Sequence, residues 1–269
     1  MGIHERRSQA QATDDRTEHA DRHAVECAKW DAHADTTEAS IEAPPLGEDF
    51  ASFAGSQTLL PGVAEYLGDL RGKRVIEYGC GLGQLTVLLA RSGADVTAFD
   101  ISAQSIRSTR KRAELAGVED RITLTVAVGE DLPFDDASFD IAVGKAVLHH
   151  LDPVSGSREL ARILRPGARA AFSEPLGTNP LVRFARERLP YPGKHLRGTD
   201  IPLRHSDVET WMAPFSEAHI HGVQLLSMVE RGLGFHRRVA LLREYDRLLL
   251  QRWPQLWPLC RYAILTFTR

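Results

Sequence analysis

The chain of 269 residues is 43% hydrophobic and 26% charged, the proportions of an ordinary globular protein long enough to bury a sizeable core. Its net charge of −3 argues against a general nucleic-acid-binding surface. Cys27, Cys80 and Cys260 lie far apart without C-x-x-C spacing, which points away from zinc or a disulfide framework and fits a reducing, cytoplasmic setting.

No apolar run approaches the ~18–20 residues of a membrane-spanning helix, and the N-terminus is too polar for a signal peptide. The segment 1–45 is expected to be a polar, partly helical extension. Residues 1 to about 20 mix Gln, Thr, Asp and Arg and bring too little apolar surface to fold on their own. An amphipathic helix is predicted from about Glu18 to Ala34, carrying Val25, Cys27 and Trp30. His4, His19, His23 and His33 show no metal-ligand spacing, so they read as a solvated face and imply no metal. Pro44-Pro45-Leu46-Gly47 separates this extension from residues 46–269.

Thr58 to Leu70 reads as a helix. Strand and helix then alternate: β1 at 74–78, a helix at 84–92, β2 at 95–99, a helix at 103–116, β3 at 122–127, β4 at 139–144, a helix at 153–164 and β5 at 168–174. Such alternation specifies an α/β fold with a parallel sheet covered on both faces. Ligands then bind beyond the carboxyl ends of the strands, near the switch point of strand order. Residues 175–205 interrupt the pattern with Pro175, Pro180, Pro190, Pro192 and Pro202. A connection of this length is typically functional, and a substrate-side cap is expected here. Between Leu176 and His205 it holds six Arg/Lys against two acids. β6 is predicted from His219 to Met228, a helix with a Leu-rich face from Phe235 to Trp253, and a final strand from Tyr262 to Thr268.

The chemistry concentrates where β1 ends. Val75-Ile76-Glu77-Tyr78-Gly79-Cys80-Gly81-Leu82-Gly83-Gln84-Leu85-Thr86 is an apolar run, an acid, an alternating glycine turn and a helical pattern. Glycine accepts positive φ and lets a ligand touch bare backbone, and the helix start behind the turn offers unpaired N–H groups. A dinucleotide loop, G-x-G-x-x-G, would put its third glycine one residue later, where Gln84 stands. A phosphate P-loop would need Gly-Lys-Ser/Thr, which is absent. About twenty residues on, Asp100 closes β2, and a carboxylate there accepts from both hydroxyls of a ribose. Ile101-Ser102 follow, then Gly129-Glu130-Asp131-Leu132-Pro133-Phe134-Asp135 with Ser138-Phe139-Asp140, Val147-Leu148-His149-His150-Leu151 and Leu164-Arg165-Pro166-Gly167-Ala168. The glycine segment resembles motif I of the class I S-adenosylmethionine (SAM)-dependent methyltransferases, E/D-x-G-x-G-x-G. The Leu-Pro-Phe-Asp and Ser-Phe-Asp segment resembles the methyltransferase-11 type, the branch that includes quinone-biosynthesis methyltransferases. Together the blocks cover roughly residues 70–175 in that family's order.

This resemblance implies a Rossmann-like, doubly wound, seven-stranded sheet, mostly parallel with the last strand antiparallel, plus N-terminal helices and a cap inserted after β5. It implies SAM as cofactor, held by Glu77, Gly79, Cys80, Gly81, Gly83, Asp100, Ile101, Gly129, Glu130 and Lys145. Asp100 is the expected ribose ligand. Glu77 is expected to order the glycine loop and face the amino acid end of SAM, and Lys145 takes the position facing its methionine part. Cys80 reads as a small residue that fits the loop rather than a nucleophile. The family's adenine-contacting acid falls on Val128, which leaves the Gly129 N–H, Glu130, Asp131 or a backbone carbonyl to read the adenine.

The implied reaction is methyl transfer to a small molecule, with O-methylation the first expectation, C- or N-methylation next, and specialised metabolism a fitting setting. The segment after β4 lacks the Asn/Asp-Pro-Pro-aromatic signature of enzymes that methylate nucleic-acid bases. His149 or His150 is a candidate general base, since imidazole titrates near neutral pH. Glu174 at the tip of β5 competes with them, and His195 and His205 come behind. Trp30, Arg183, Arg186, His195 and Arg197 are the candidate acceptor contacts. The cap's positive balance fits an anionic acceptor and fits a solvated basic face equally well. Trp30 reads as a lid residue or as an anchor for its own helix. A non-catalytic SAM-binding protein of the same fold is the second reading, and oligomeric state is not legible.

Overall fold

The computed structural model describes residues 23–37, 41–45, 47–188, 201–229 and 239–269. Its centre is a seven-stranded sheet ordered β3-β2-β1-β4-β5-β7-β6. The strands are β1 (Arg74–Tyr78), β2 (Asp95–Asp100), β3 (Ile122–Val126), β4 (Phe139–Lys145), β5 (Leu164–Pro175), β6 (Glu217–Val223) and β7 (Tyr262–Thr268). β1 pairs in parallel with β2 and β4, and β7 runs antiparallel to both β5 and β6, as expected. The order reverses between β2 and β4 on either side of β1. That is the switch point at which ligands bind in such sheets, and it puts the glycine turn at the head of the crevice.

Period-two alternation splits the central strands between two cores. Val75, Val96, Ile141 and Val143 face one core with Leu85, Leu88 and Leu89, whereas Ile76, Tyr78, Ala142 and Phe172 face the other with Leu160, Ile163 and Trp211. The first face is covered by α2 (Phe50–Ser56), α3 (Val63–Leu67), α4 (Gln84–Arg91) and α5 (Ala103–Ala116). The second is covered by α6 (Pro153–Ile163) and α8 (His205–Met212). Because Glu77 shares the face of Val75, its side chain points at α4 and not into the aromatic core around Tyr78.

Several boundaries depart from expectation. The helix predicted at Thr58–Leu70 is confined to α3, because Pro61-Gly62 makes a turn with Gly62 at φ 71°. α2 is an additional helix, started by a reciprocal cap in which the Asp49 carboxylate accepts from Ser52 N and Ser52 Oγ accepts from Asp49 N. β6 ends at Val223 rather than continuing to Met228: Gln224 takes φ 62°. Asp246 of α9 (Val239–Arg252) then gathers the N–H groups of Leu225, Leu226 and Ser227. Within the expected cap, α7 spans Pro180–Arg188. The excursion leaves and returns at neighbouring points, since Leu176 bridges Leu203 and Leu203 N donates to Pro175 O. His195 and Arg197, like His4, His19 and the opening residues of the predicted N-terminal helix, lie outside the described residues.

Candidate functional site

The turn after β1 is built from positive φ values: 64° at Gly79, 51° at Gly81 and 78° at Gly83. The three glycines answer different needs. A Cβ on Gly79 would lie 2.8 Å from Val147 Cγ2, and one on Gly83 would lie 2.8 Å from the Thr109 backbone. At Gly81 a Cβ would meet nothing within 4 Å, so this glycine leaves bare backbone facing open space. Arg112 holds the loop from behind by donating to Leu82 O at 2.7 Å. Cys80 is buried and its thiol is pushed well above the ordinary range by burial, so it fills space rather than attacking a substrate.

Asp100 closes β2 and is nearly buried. Its Oδ2 accepts from Gly81 N at 2.9 Å and its Oδ1 from Ser102 N at 2.9 Å. The carboxylate therefore ties the glycine turn to the β2 tip. Burial raises its pKa, and the two N–H donors oppose that rise.

Glu77 is 2% exposed. Its one hydrogen bond among the described residues comes from Thr86 Oγ1 of α4, at 2.5 Å. Burial pushes its pKa up to about 8, opposed by Thr86 and reinforced by the charge of Asp100. A cavity of about 210 Å³ opens between Glu77, Gly79, Cys80, Gln84, Lys145 and the apolar walls Phe53 and Leu60. Desolvation lowers the Lys145 pKa. A larger cavity of about 450 Å³, lined by Arg158, Arg162, Pro214 and Arg269 among others, sits at the amino ends of β4 and β5. That is the wrong end of a parallel sheet for its ligand.

On the other side of the crevice the chain leaves β4 through Ala146 at φ 55° and turns back over Leu148–His150. Glu174, with no exposed surface, gathers this turn. Its Oε1 accepts from Val147 N at 2.9 Å and Leu148 N at 3.0 Å, and its Oε2 lies 2.8 Å from His149 Nδ1. This corrects the expectation of Glu174 as a base: its oxygens are committed to the protein and have no surface to offer an acceptor. His149, with a side chain 3% exposed, is sealed in with it. His150 is less enclosed. Its ring lies 4.0 Å from that of His149 and meets the edge of Trp30 at 5.9 Å.

The partner of His150 comes from outside the sheet. α1, the helix over 23–37, lies across the crevice mouth and touches three of its loops. Asp31 Oδ1 accepts from Ser102 Oγ at 2.5 Å and from Gln104 N at 3.2 Å, at the start of α5. Cys27 Sγ reaches Ile101 O at 3.4 Å. His23 stands 3.4 Å from Glu130 Oε1, and Glu26 Oε1 stands 3.5 Å from His150 Nδ1. The Ser102 hydroxyl and Gln104 N hold the Asp31 carboxyl below its usual range. Of the contacts predicted in this segment, Trp30 does reach the site, and its indole N–H donates to Glu26 at 3.0 Å. Asp31 and Glu26 escape sequence reasoning, because nothing local marks which helix face will dock.

The remaining expected residues divide. Glu130 Oε1 accepts from Asp152 N at 2.9 Å, so part of its capacity is spent starting α6. Gly129 packs closely, since a Cβ there would lie 2.7 Å from Leu151 Cδ1 and the leucine side chain would have to turn aside. Arg183 is exposed on α7, and Arg186 lies on the same helix with its side chain outside the described residues. His205 is exposed on α8 and its ring lies tilted 5.0 Å from that of Trp257; its described contacts lie away from the crevice loops. Among the described residues no group of three His, Cys, Asp or Glu could hold a metal, and no helix is long and apolar enough to cross a membrane.

Residues 76–172 match the family described as "Methyltransferase domain". Similar proteins include a 27-O-demethylrifamycin SV methyltransferase of Amycolatopsis mediterranei, 36% identical over 38% of this chain and 39% of its own length. A ubiquinone biosynthesis O-methyltransferase of Alkalilimnicola ehrlichii is 35% identical over 59% of this chain and 62% of its own. The chain thus matches less than two thirds of the length of these curated relatives. Among solved structures, a SAM-dependent methyltransferase from Mesorhizobium loti superposes with a TM-score of 0.57 at 18% identity, covering 80% of this chain and 100% of that one. Geranyl diphosphate C-methyltransferase from Streptomyces coelicolor, solved with S-adenosyl-L-homocysteine, gives 0.52 at 15% identity over 76% and 74%. These likenesses carry the fold: a Rossmann-like methyltransferase sheet.

Proposed function

We propose that this chain, whose residues 76–172 match a methyltransferase domain family, is a class I SAM-dependent methyltransferase that transfers a methyl group to the oxygen of a small-molecule acceptor. The observation that carries the reading is Glu77: a sealed carboxyl whose one hydrogen-bond partner among the described residues is the Thr86 hydroxyl, at the wall of a cavity that Gly79 of the glycine turn also lines. Burial raises the pKa of this carboxyl to about 8, so it ionises only when a cation arrives beside it, and the ammonium of the methionine part of SAM supplies one. The residues present fit the rest of SAM as well. Asp100 is held at the β2 tip for the ribose hydroxyls, and the open side of Gly81 lets the nucleoside approach the backbone.

When bound, SAM supplies an electrophilic methyl carbon on its sulfonium. The chain's own residues place the two partners and handle a proton. Phe53 and Leu60 line the apolar wall beside Lys145, and α1 closes the mouth and excludes water. His150 accepts the proton of the acceptor hydroxyl, an expected contribution of roughly 10²–10⁴ in rate. Relatives named as O-methyltransferases support oxygen as the acceptor atom. The basic balance of the cap, with Arg183 exposed upon it, supports an acceptor carrying a second, anionic group, and the rifamycin relative supports a role in specialised metabolism.

The test is transfer of labelled methyl from SAM to paired phenolic acids and their esters. The reading predicts methylation with the acid preferred, and loss of that preference in Arg183→Ala. SAM bound without transfer to any acceptor contradicts the enzymatic reading, and unchanged discrimination in the variant contradicts the anionic one.

A further inference from the structure

The two adjacent histidines are each given a carboxylate, but from different places. His149 takes Glu174, from the end of β5, in a sealed pair. His150 takes Glu26, from α1, which lies outside the matched methyltransferase segment. Glu26 is itself shaped for the task. Its Oε2 accepts from Trp30 Nε1 at 3.0 Å and lies 3.6 Å from Lys29 Nζ, which leaves Oε1 toward the imidazole. Trp30 meets His150 edge-on at 5.9 Å and the tilted ring of His149 lies 4.0 Å away. Both rings crowd the imidazole and limit its rotation.

We infer that Glu26 is a positioning residue that sets His150 as the proton acceptor, so that the catalytic base is complete only when α1 is docked. The inference rests on the methyltransferase reading above. With Nδ1–H directed at Glu26, the ring keeps its lone pair on Nε2, which has no partner among the described residues. A carboxylate that fixes the tautomer and steadies the imidazolium formed on proton uptake is the general logic of carboxylate–imidazole pairs. The 3.5 Å separation is long for a hydrogen bond, as such contacts often are before substrate binds and tightens them. Glu26 answers to its surroundings as an anion. Burial works against ionisation, yet His150, Lys29 and Trp30 together hold its carboxyl below the ordinary range. The other charge that senses His150 is Asp100, across the crevice.

α1 has anchors that do not involve Glu26, namely Asp31 on Ser102 and Gln104 and His23 beside Glu130. Removing Glu26 therefore separates positioning from docking. The experiment uses the full chain with ¹⁵N-labelled histidine and added S-adenosylhomocysteine. Long-range ¹H–¹⁵N correlation reads which ring nitrogen of His150 carries the proton, and amide exchange over 23–37 reads docking. Wild type is expected to show the Nδ1–H tautomer. Glu26→Ala is expected to lose it with α1 still protected. Glu26→Gln, which keeps an acceptor oxygen, is expected to restore it. A His150 ring protonated on Nε2 in wild type, or one unchanged by Glu26→Ala, overturns the inference while leaving the methyltransferase reading intact. If Glu26→Ala also unlatches α1, Glu26→Gln decides: protection regained without Nδ1–H overturns it. Failure of wild type to bind S-adenosylhomocysteine counts instead against the methyltransferase reading.

Discussion

Glu77 and Glu174 are both carboxylates sealed at the carboxyl ends of strands, but their surroundings differ sharply. Glu174 is saturated by a turn of backbone N–H groups and an imidazole. Glu77 has a lone hydroxyl and a pKa pushed up to about 8 by burial. Burial by itself therefore does not separate a structural acid from a functional one; the hydrogen-bond inventory does. Glu174 has no capacity left for a substrate, so it holds the turn that carries the histidines. Glu77 has the Thr86 hydroxyl alone among the described residues and faces a cavity; on the proposed reading, that is where a cation belongs.

The contrast breaks most visibly under truncation. Glu174→Ala leaves buried donors without their acceptor and is expected to cost about 3–5 kcal/mol in chemical denaturation; a loss below about 1 kcal/mol would mean the turn is held by something else. Glu77→Gln is expected to leave stability level or raised, yet weaken S-adenosylhomocysteine binding about 10- to 100-fold, the worth of one charge-assisted hydrogen bond. Equal stability losses in the two variants would erase the distinction.

The glycines sharpen it next. Gly83→Ala drives a Cβ into the Thr109 backbone at positive φ and is expected to lower stability by about 1–3 kcal/mol. Gly81→Ala has open space, so it is expected to cost about 1 kcal/mol in stability while impairing ligand binding more than Gly83→Ala does. Calorimetric binding beside thermal melts reads both.

The pH dependence carries the same signature with a definite sign. The folded pKa of Glu77 is raised from 4.5 to about 8, so the folded state holds a proton that the unfolded chain releases. Its contribution to stability is complete below the unfolded value, falls as pH rises from about 4.5, and is gone above about 8. Denaturation midpoints of the ligand-free chain should follow that slope, and Glu77→Gln should flatten it. The smallest effect is expected at the lid. Asp31→Asn weakens the contact with the start of α5, worth about 0.5–1 kcal/mol, and should speed amide exchange over 23–37 while leaving the sheet protected.

What is legible in the sequence follows from how local each requirement is. The alternating glycines, the acid before them and the carboxylate twenty residues on are fixed by backbone needs within a β-turn-α unit, and the structure brings Glu77, Gly79, Gly81, Gly83 and Asp100 together. The parallel, two-faced sheet follows from the strand–helix alternation; its doubly wound, seven-stranded form is implied by the family resemblance. The helix start at Asp49 and the break at Pro61-Gly62 carry signals of their own, a reciprocal Asp–Ser cap and a Pro-Gly turn, and the apolar spacing of Leu59, Leu60, Val63, Leu67 and Leu70 across the break outweighs them in a single reading. Glu174 is different. Its role depends on Ala146 adopting positive φ so that three N–H groups fold onto one carboxylate, and no residue spacing announces that. Glu26 and Asp31 meet partners more than seventy residues away, a distance over which periodicity says nothing.

The central claim is that Glu77 waits protonated for the ammonium of SAM. Calorimetric titration of S-adenosylhomocysteine into the full chain at pH 7, repeated in buffers of different ionisation heat, tests it directly. The account predicts binding that releases about one proton and a Glu77→Gln variant that binds more weakly and releases none. Absence of binding, or binding whose heat is the same in every buffer, would contradict it.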